Sequence, residues 1–297
     1  HGLGALLLEQ CLLGRQAVGL AVTWEIYQWT HSATALGLVG FVNILPLFLL
    51  SLPAGALADR YDRRCIISSG SAASAILVAA LALLAIFHSR VPSLAPLVWA
   101  NAGLRHVALV FERHVDPSLL HFDEPALPLL FLLLFAIAVV RILIWPARSS
   151  LPPLLLPPER LSNAITWGAS TFEIATITGP AVGGFLIAWG GFSSVCWLST
   201  VLELGFLGVL VRLKYFASPP PTVARRTWRD MLAGAEFIWN RKVILGASGL
   251  DLFAVLLGGA TTLLPIYADE ILHVGPIGLG WLRAAPSIGA GAMAMWL

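Results

Sequence analysis

Gly55-Ala56-Leu57-Ala58-Asp59-Arg60-Tyr61-Asp62-Arg63-Arg64 decides the fold. This short, strongly charged hinge lies between two apolar runs, 33–54 and 65–87. Each is long enough to cross a bilayer, whose hydrocarbon core needs about 20 apolar residues of helix. So many charges between two such runs are costly anywhere but at a membrane interface. Arginines there favour the cytoplasmic side. The reading is therefore an antiparallel pair of membrane helices with a cytoplasmic turn.

The rest of the chain agrees with that local reading. Of 297 residues, 58% are hydrophobic and only 11% charged, whereas a soluble domain carries about 25% charged residues. The chain is thus expected to be an all-α, multi-pass membrane protein. Cys11, Cys65 and Cys196 are widely spaced and support neither a disulfide framework nor a metal motif. The sequence opens at His1 rather than Met and closes at Leu297 within an apolar run, with no basic leader or cleavage site. It reads as a piece lacking sequence at both ends.

Hydropathy places spans near 3–29, 33–54, 65–87, 127–146, 163–189, 192–213, 243–267 and 277–297. Most turns are short, notably Thr30-His31-Ser32 and Trp189-Gly190-Gly191-Phe192, which forces neighbouring helices to run antiparallel. One set of connections holds Arg60, Arg63, Arg64, Arg148, Arg160, Arg212, Lys214, Arg225, Arg226, Arg229, Arg241 and Lys242. The other holds Arg90, Arg105 and Arg113. The first set is expected on the cytoplasmic side.

The longest cytoplasmic connection is 214–242. It opens with Ser218-Pro219-Pro220-Pro221, passes Arg225-Arg226, and ends in a stretch that puts Met231, Ala235, Ile238 and Trp239 on one helical stripe, as in an interfacial amphipathic helix. It divides the chain into a first half, 1–213, and the start of a second, 243–297. Residues 88–126 form a long insert on the opposite side. His88, His106, His114, His121, Glu112, Asp116, Asp123 and Glu124 are spaced as in no recognised metal-ligand motif, so no metal site is assigned. Leu94 to Val110 is apolar enough for a short surface helix.

The hinge, with its Gly55, its Asp59-Arg60 and its paired arginines, resembles the signature loop between the second and third helices of the major facilitator superfamily. Gly179-Pro180-Ala181-Val182-Gly183-Gly184 is similar to that superfamily's export motif, with Ala175 where a further glycine usually stands. Asp62 likewise replaces a second hinge glycine of the wider superfamily. Supporting stretches are Trp24-Glu25-Ile26-Tyr27-Gln28, Leu52-Pro53-Ala54-Gly55, Pro146-Ala147-Arg148-Ser149, Pro157-Pro158-Glu159-Arg160-Leu161 and Arg283-Ala284-Ala285-Pro286. Their order resembles the enterobactin exporter-like, drug and siderophore efflux branch. The resemblance implies a major facilitator fold of two six-helix halves, of which about the first eight helices are present and the second half is truncated. It implies a monomeric secondary transporter of the bacterial inner membrane, exporting a small molecule with protons as coupling ion and no other cofactor. It implies no nucleic-acid partner.

Under that reading the hinge is a gate. Gly55 would let the second helix approach a neighbour closely, and Asp59 would be latched by Arg60, Arg63 or Arg64 and a helix N-terminus. A plain basic anchor explains the arginines but not Gly55 and Asp59. In Gly179, Pro180, Gly183 and Gly184 the proline bends the helix and the glycines admit a close neighbour; ordinary small-residue packing is the alternative. Charges inside spans usually face a cavity or a partner. Glu25, Asp251, Arg141 and Glu173 are the proton-coupling candidates, with Glu203 in a coupling or packing role. Glu25 and Asp251 fall on helices that correspond in the two halves. Arg15 could snorkel to the cytoplasmic interface. Trp24, Tyr27, Trp29, Trp145 and Trp167 sit near span ends as an interfacial belt, or, for the first two, line a pocket for an aromatic substrate.

Alternatives are an uptake or lysolipid carrier of the same superfamily, a membrane-embedded enzyme and a non-transporting sensor. An enzyme would need paired His, Asp or Glu at the cytoplasmic interface. The His-rich stretch falls on the other side.

Overall fold

The computed structural model describes residues 2–92, 94–112, 121–122, 124–149, 158–212 and 239–296. Every regular element among them is helical. They are α1 (Gly2–Thr30), α2 (Ala33–Arg60), α3 (Arg63–Phe87), α4 (Ala95–Phe111), α5 (Leu127–Ser149), α6 (Pro158–Arg212), α7 (Lys242–Leu257) and α8 (Gly275–Trp296). Most of the connection read over 214–242 lies outside the described residues.

Local chemistry sets the boundaries. Ser32 caps α2, its hydroxyl accepting from the Ala35 amide at 3.2 Å, and Asp62 caps α3, accepting from the Arg64 amide at 2.9 Å. Each satisfies one of the amides that a helix start leaves unpaired. Helix thus runs through Arg60 and resumes at Arg63, so of the hinge only Tyr61 and Asp62 lie outside helices. Within α6 the chain turns at Gly191, whose φ of 70° and ψ of −175° are open only to glycine. Residues on both sides of that turn meet the same stretch of α1: a Cβ on Gly14 would lie 2.9 Å from Ser199 Oγ, and one on Gly179 would lie 2.6 Å from Gln16 Cβ. The two limbs of α6 are therefore an antiparallel pair, as the Trp189–Phe192 turn predicts.

Helix α1 occupies the centre. From Ala17 to Trp24 all but Gly19 are buried, which matches a sequence apolar on every face. Around it, α2, α3, α5 and α6 keep one apolar side inward and expose another. Phe48, Ile76, Leu132 and Val201 are more than half exposed. So much apolar surface suits a lipid environment, not water. By length and composition, four stretches among the described residues can cross a membrane: Ala33–Ser51, Arg63–Arg90, Leu127–Ser149 and the double-length Ile165–Arg212.

The insert forms the expected surface helix, α4. It is tied to the α1–α2 turn, where Glu112 accepts from the Ser32 hydroxyl at 2.6 Å and from the Thr34 amide. His121 donates its amide to the Thr30 carbonyl at 3.2 Å. One expectation needs correcting. The span read as a single helix over 243–267 is irregular: α7 ends at Leu257, Gly258–Leu263 is a 3-10 segment, and Tyr267–Ile271 is a π turn. Two glycines start the change, and Pro265 removes one backbone donor within the segment.

Candidate functional site

The two ends of the bundle differ in charge. At the hinge end, Arg64 donates from Nη2 to the Val211 carbonyl at 2.7 Å, closing the C-terminal end of α6. Nearby, the Arg148 guanidinium lies 4.8 Å from the Phe206 ring centre. Arg60 is exposed and Arg63 half-buried at the start of α3. Arg64 thus bonds a helix end, and Asp62 is occupied as a cap. The Asp59 side chain lies outside the described residues. Gly55 makes no close approach among the described residues, where a Cβ would meet nothing within 4 Å. Its small size serves no contact in this structure.

The far end gathers acids and histidines. Tyr27 donates its hydroxyl to Glu270, and Gln28 donates from Nε2 to Asp269 Oδ2 at 3.2 Å. These two bonds join α1 to the π turn more than two hundred residues away. His31 stacks edge-on against Tyr27 at 5.4 Å and against His121 at 5.9 Å. His88 Nδ1 stands 3.6 Å from Glu124. A cleft of about 400 Å³ opens here, lined by Gln28, Trp29, His31, His121, Glu124 and Pro125. Tyr27 is buried at this junction and Trp24 in the core, so neither belongs to an interfacial belt. Trp145 and Trp167 are exposed, as a belt requires.

The two helix ends that meet here share a device. His31, after α1, has φ 47°, and His273, before α8, has φ 51°. Left-handed backbone is uncommon outside glycine, though histidine is enriched there. The same backbone conformation thus stands after α1 and before α8.

Between the ends, α6 meets both α1 and α8 through the Gly179–Gly184 motif. A Cβ on Gly183 would lie 3.1 Å from Ala17 Cα. A Cβ on Gly184 would collide with the Pro276 carbonyl and lie 3.3 Å from Gly280 Cα. Gly280 returns the contact against the Pro180 carbonyl at 2.6 Å. The motif's glycines therefore occupy two faces of α6, one toward α1 and one toward α8. The helix continues through Pro180 and breaks only at Gly191. Ala175, where the usual motif has glycine, is buried.

Charges within the spans separate into groups. Arg15 Nη2 lies 3.6 Å from Glu203 Oε1, and the Ser74 hydroxyl donates to the same oxygen at 3.3 Å. Arg15 turns inward to this buried acid instead of snorkelling to the interface. Glu25 lies beside Trp29 and within electrostatic reach of His88 and Cys196, so it faces the far end and the second limb of α6. Glu173 is exposed, and the Asp251 side chain lies outside the described residues. Arg141 repeats, one heptad on, the position of buried Leu134 on α5, yet it is exposed.

Sequence reasoning quoted Arg283 within a supporting stretch but not among the charges inside the spans. On α8, it donates from Nη1 to the Gly19 carbonyl and the Thr23 hydroxyl, both at 3.4 Å. An arginine within an apolar run was the available signal. Tyr27, Asp269 and Glu270 were missed as a junction because their pairing is a product of folding alone.

Residues 11–297 match the model of the Major Facilitator Superfamily. The multidrug efflux pump Tap of Mycobacterium tuberculosis is 24% identical over 96% of the chain. The enterobactin exporter EntS of Shigella boydii and that of Escherichia coli are each 25% identical over 92% of it. The chain spans 62% of the length of the first and 57% of the others.

Proposed function

Since the chain belongs to the major facilitator superfamily, we propose that it exports small drug- or siderophore-like molecules across a bacterial inner membrane. Transport is secondary, coupled to protons, and proceeds by alternating access. The protein acts as a monomer, is not an enzyme and needs no cofactor beyond the proton. The observation that carries this reading is the junction between Gly179–Gly184 of α6 and Pro276–Gly280 of α8. It is a backbone-to-backbone contact between the two halves, on which one can rock against the other.

The bonds from Tyr27 and Gln28 to Glu270 and Asp269 support a state in which the far end is closed. The arginines at the hinge end support a cytoplasmic position for that end. Relatives named as efflux pumps and exporters support the outward direction.

The test is transport in proteoliposomes holding the whole chain, with a pH gradient imposed and a panel of drugs and siderophores supplied. Gradient-dependent movement of at least one compound, collapsed by a protonophore, is the expected result. Movement that ignores the pH gradient would refute proton coupling, and no movement of any compound would refute export.

A further inference from the structure

The insert helix α4 is held at three points, all at the far end of the bundle. Its first residue, Ala95, follows the helical turn after α3, which closes at Arg90, by five residues that span at most about 18 Å. At its middle, Asn101 Nδ2 donates to the Glu124 carbonyl at 2.8 Å, just before α5 begins. At its end, Glu112 accepts from the Ser32 hydroxyl at 2.6 Å and from the Thr34 amide, where α2 begins. The helix has 17 residues and is about 25 Å long. With its start, middle and end all at one end of the bundle, it lies along that end and does not cross the membrane.

The circumference of α4, at about 100° per residue, divides into sectors. Leu104 and Ala108 form the sector toward the protein, where the helix packs against α2 and α5. Beside it, Trp99, Val107, Val110 and Phe111 fall within about 120° of arc. All four are exposed, Trp99 to 80% and Phe111 to 77%. The polar residues of α4 are Asn101, Arg105 and His106, and none falls within that arc. Arg105 stands opposite its centre and is exposed.

Water would pay for such a cluster of bare aromatic and branched side chains in lost entropy. Lipid is the neighbour at hand. The helix that α4 packs on, α2, presents Phe41 and Ile44 at least half exposed, so α4 sits where the lipid-facing side of the bundle reaches its far end. Protein on one side, an apolar arc beside it and a cation opposite that arc fit a helix at a bilayer surface, with its aromatic side chains at the boundary.

We propose that α4 is an interfacial helix whose partner is the lipid of the leaflet at the far end. Trp99, Val107, Val110 and Phe111 lie among the upper acyl chains, and Arg105 lies at the level of the headgroup phosphates and water. Through Glu112 the helix seats the α1–α2 turn at the bilayer surface. The proposal rests on the membrane class of the chain and not on transport.

Depth measurement tests this. Nitroxide labels are placed on Trp99→Cys, Val110→Cys and Arg105→Cys of the whole chain, carrying Cys11→Ser, Cys65→Ser and Cys196→Ser, in proteoliposomes. Paramagnetic resonance then compares access to oxygen, which concentrates in lipid, with access to a nickel chelate, which stays in water. Labels at positions 99 and 110 should sit about 5–10 Å below the phosphates, with oxygen the better relaxer, and the label at 105 should show the reverse.

Nickel access at 99 and 110 equal to that at 105 would put the arc in water and overturn the proposal. Low access to both reagents, or dipolar broadening between labels, would show a second copy covering the arc and would also overturn it. Should the cysteine-free chain misfold, wild type and Trp99→Phe with native cysteines decide. Their fluorescence difference isolates Trp99 among eleven tryptophans. That signal should be quenched more by lipids brominated near the carbonyl end of the acyl chains than by aqueous iodide; the opposite order, or no quenching by either, would overturn the proposal.

Discussion

Gly280 of α8 touches the Pro180 carbonyl of α6 so closely that a Cβ on the glycine would sit 2.6 Å from the oxygen. The partner atom is backbone and cannot swing aside as a flexible side chain would. The motif read in the sequence as one helix's property is thus half of a two-helix lock. Its other half, Pro276 and Gly280, carries no signature of its own.

That lock makes a direct prediction. Gly280→Val should force the helices apart and lower stability by about 1–3 kcal/mol, the usual cost of overpacking. Gly37→Ala is the control, because a Cβ there meets nothing within 4 Å. Thermal unfolding in detergent should separate the two, with only the first variant shifted downward and only the first losing transport.

The Arg15–Glu203 pair should behave as a unit. Glu203 is almost wholly buried and Arg15 about one-fifth exposed, so removing either partner strands a charge. Arg15→Leu or Glu203→Leu alone should destabilise by about 3–5 kcal/mol, while the double variant should be much closer to wild type. A double-mutant cycle of unfolding free energies measures this, and additive losses would show that the two do not interact.

Asp59→Asn tests the hinge. It leaves the Asp62 cap and the Arg64–Val211 bond intact, so insertion and folding should persist. If Asp59 works the gate, transport should fall strongly. Transport at the wild-type rate in a folded, inserted variant would reduce the hinge to a basic anchor.

The proposed proton coupling puts Glu25 and Asp251 forward as the residues to replace. Glu25→Gln or Asp251→Asn should abolish pH-driven efflux while leaving substrate binding measurable. If both variants keep the wild-type pH dependence, the proton travels elsewhere, with Glu173 the next residue to replace.

The sequence by itself determined the helical membrane class, most helix limits and the surface helix of the insert. Each depends on a local quantity: a run of apolar residues, a capping Ser32 or Asp62, a glycine at position 191 that alone tolerates its turn. The irregular path over 258–271 was less legible, because glycine, threonine and proline there permit several helix types and packing selects among them. Tertiary structure alone decided the partners. Only in the folded chain does Gly184 find Pro276, Tyr27 find Glu270 and Arg15 find Glu203. Nothing local marks Arg15 as the arginine that meets Glu203; that pairing depends on which helices lie side by side.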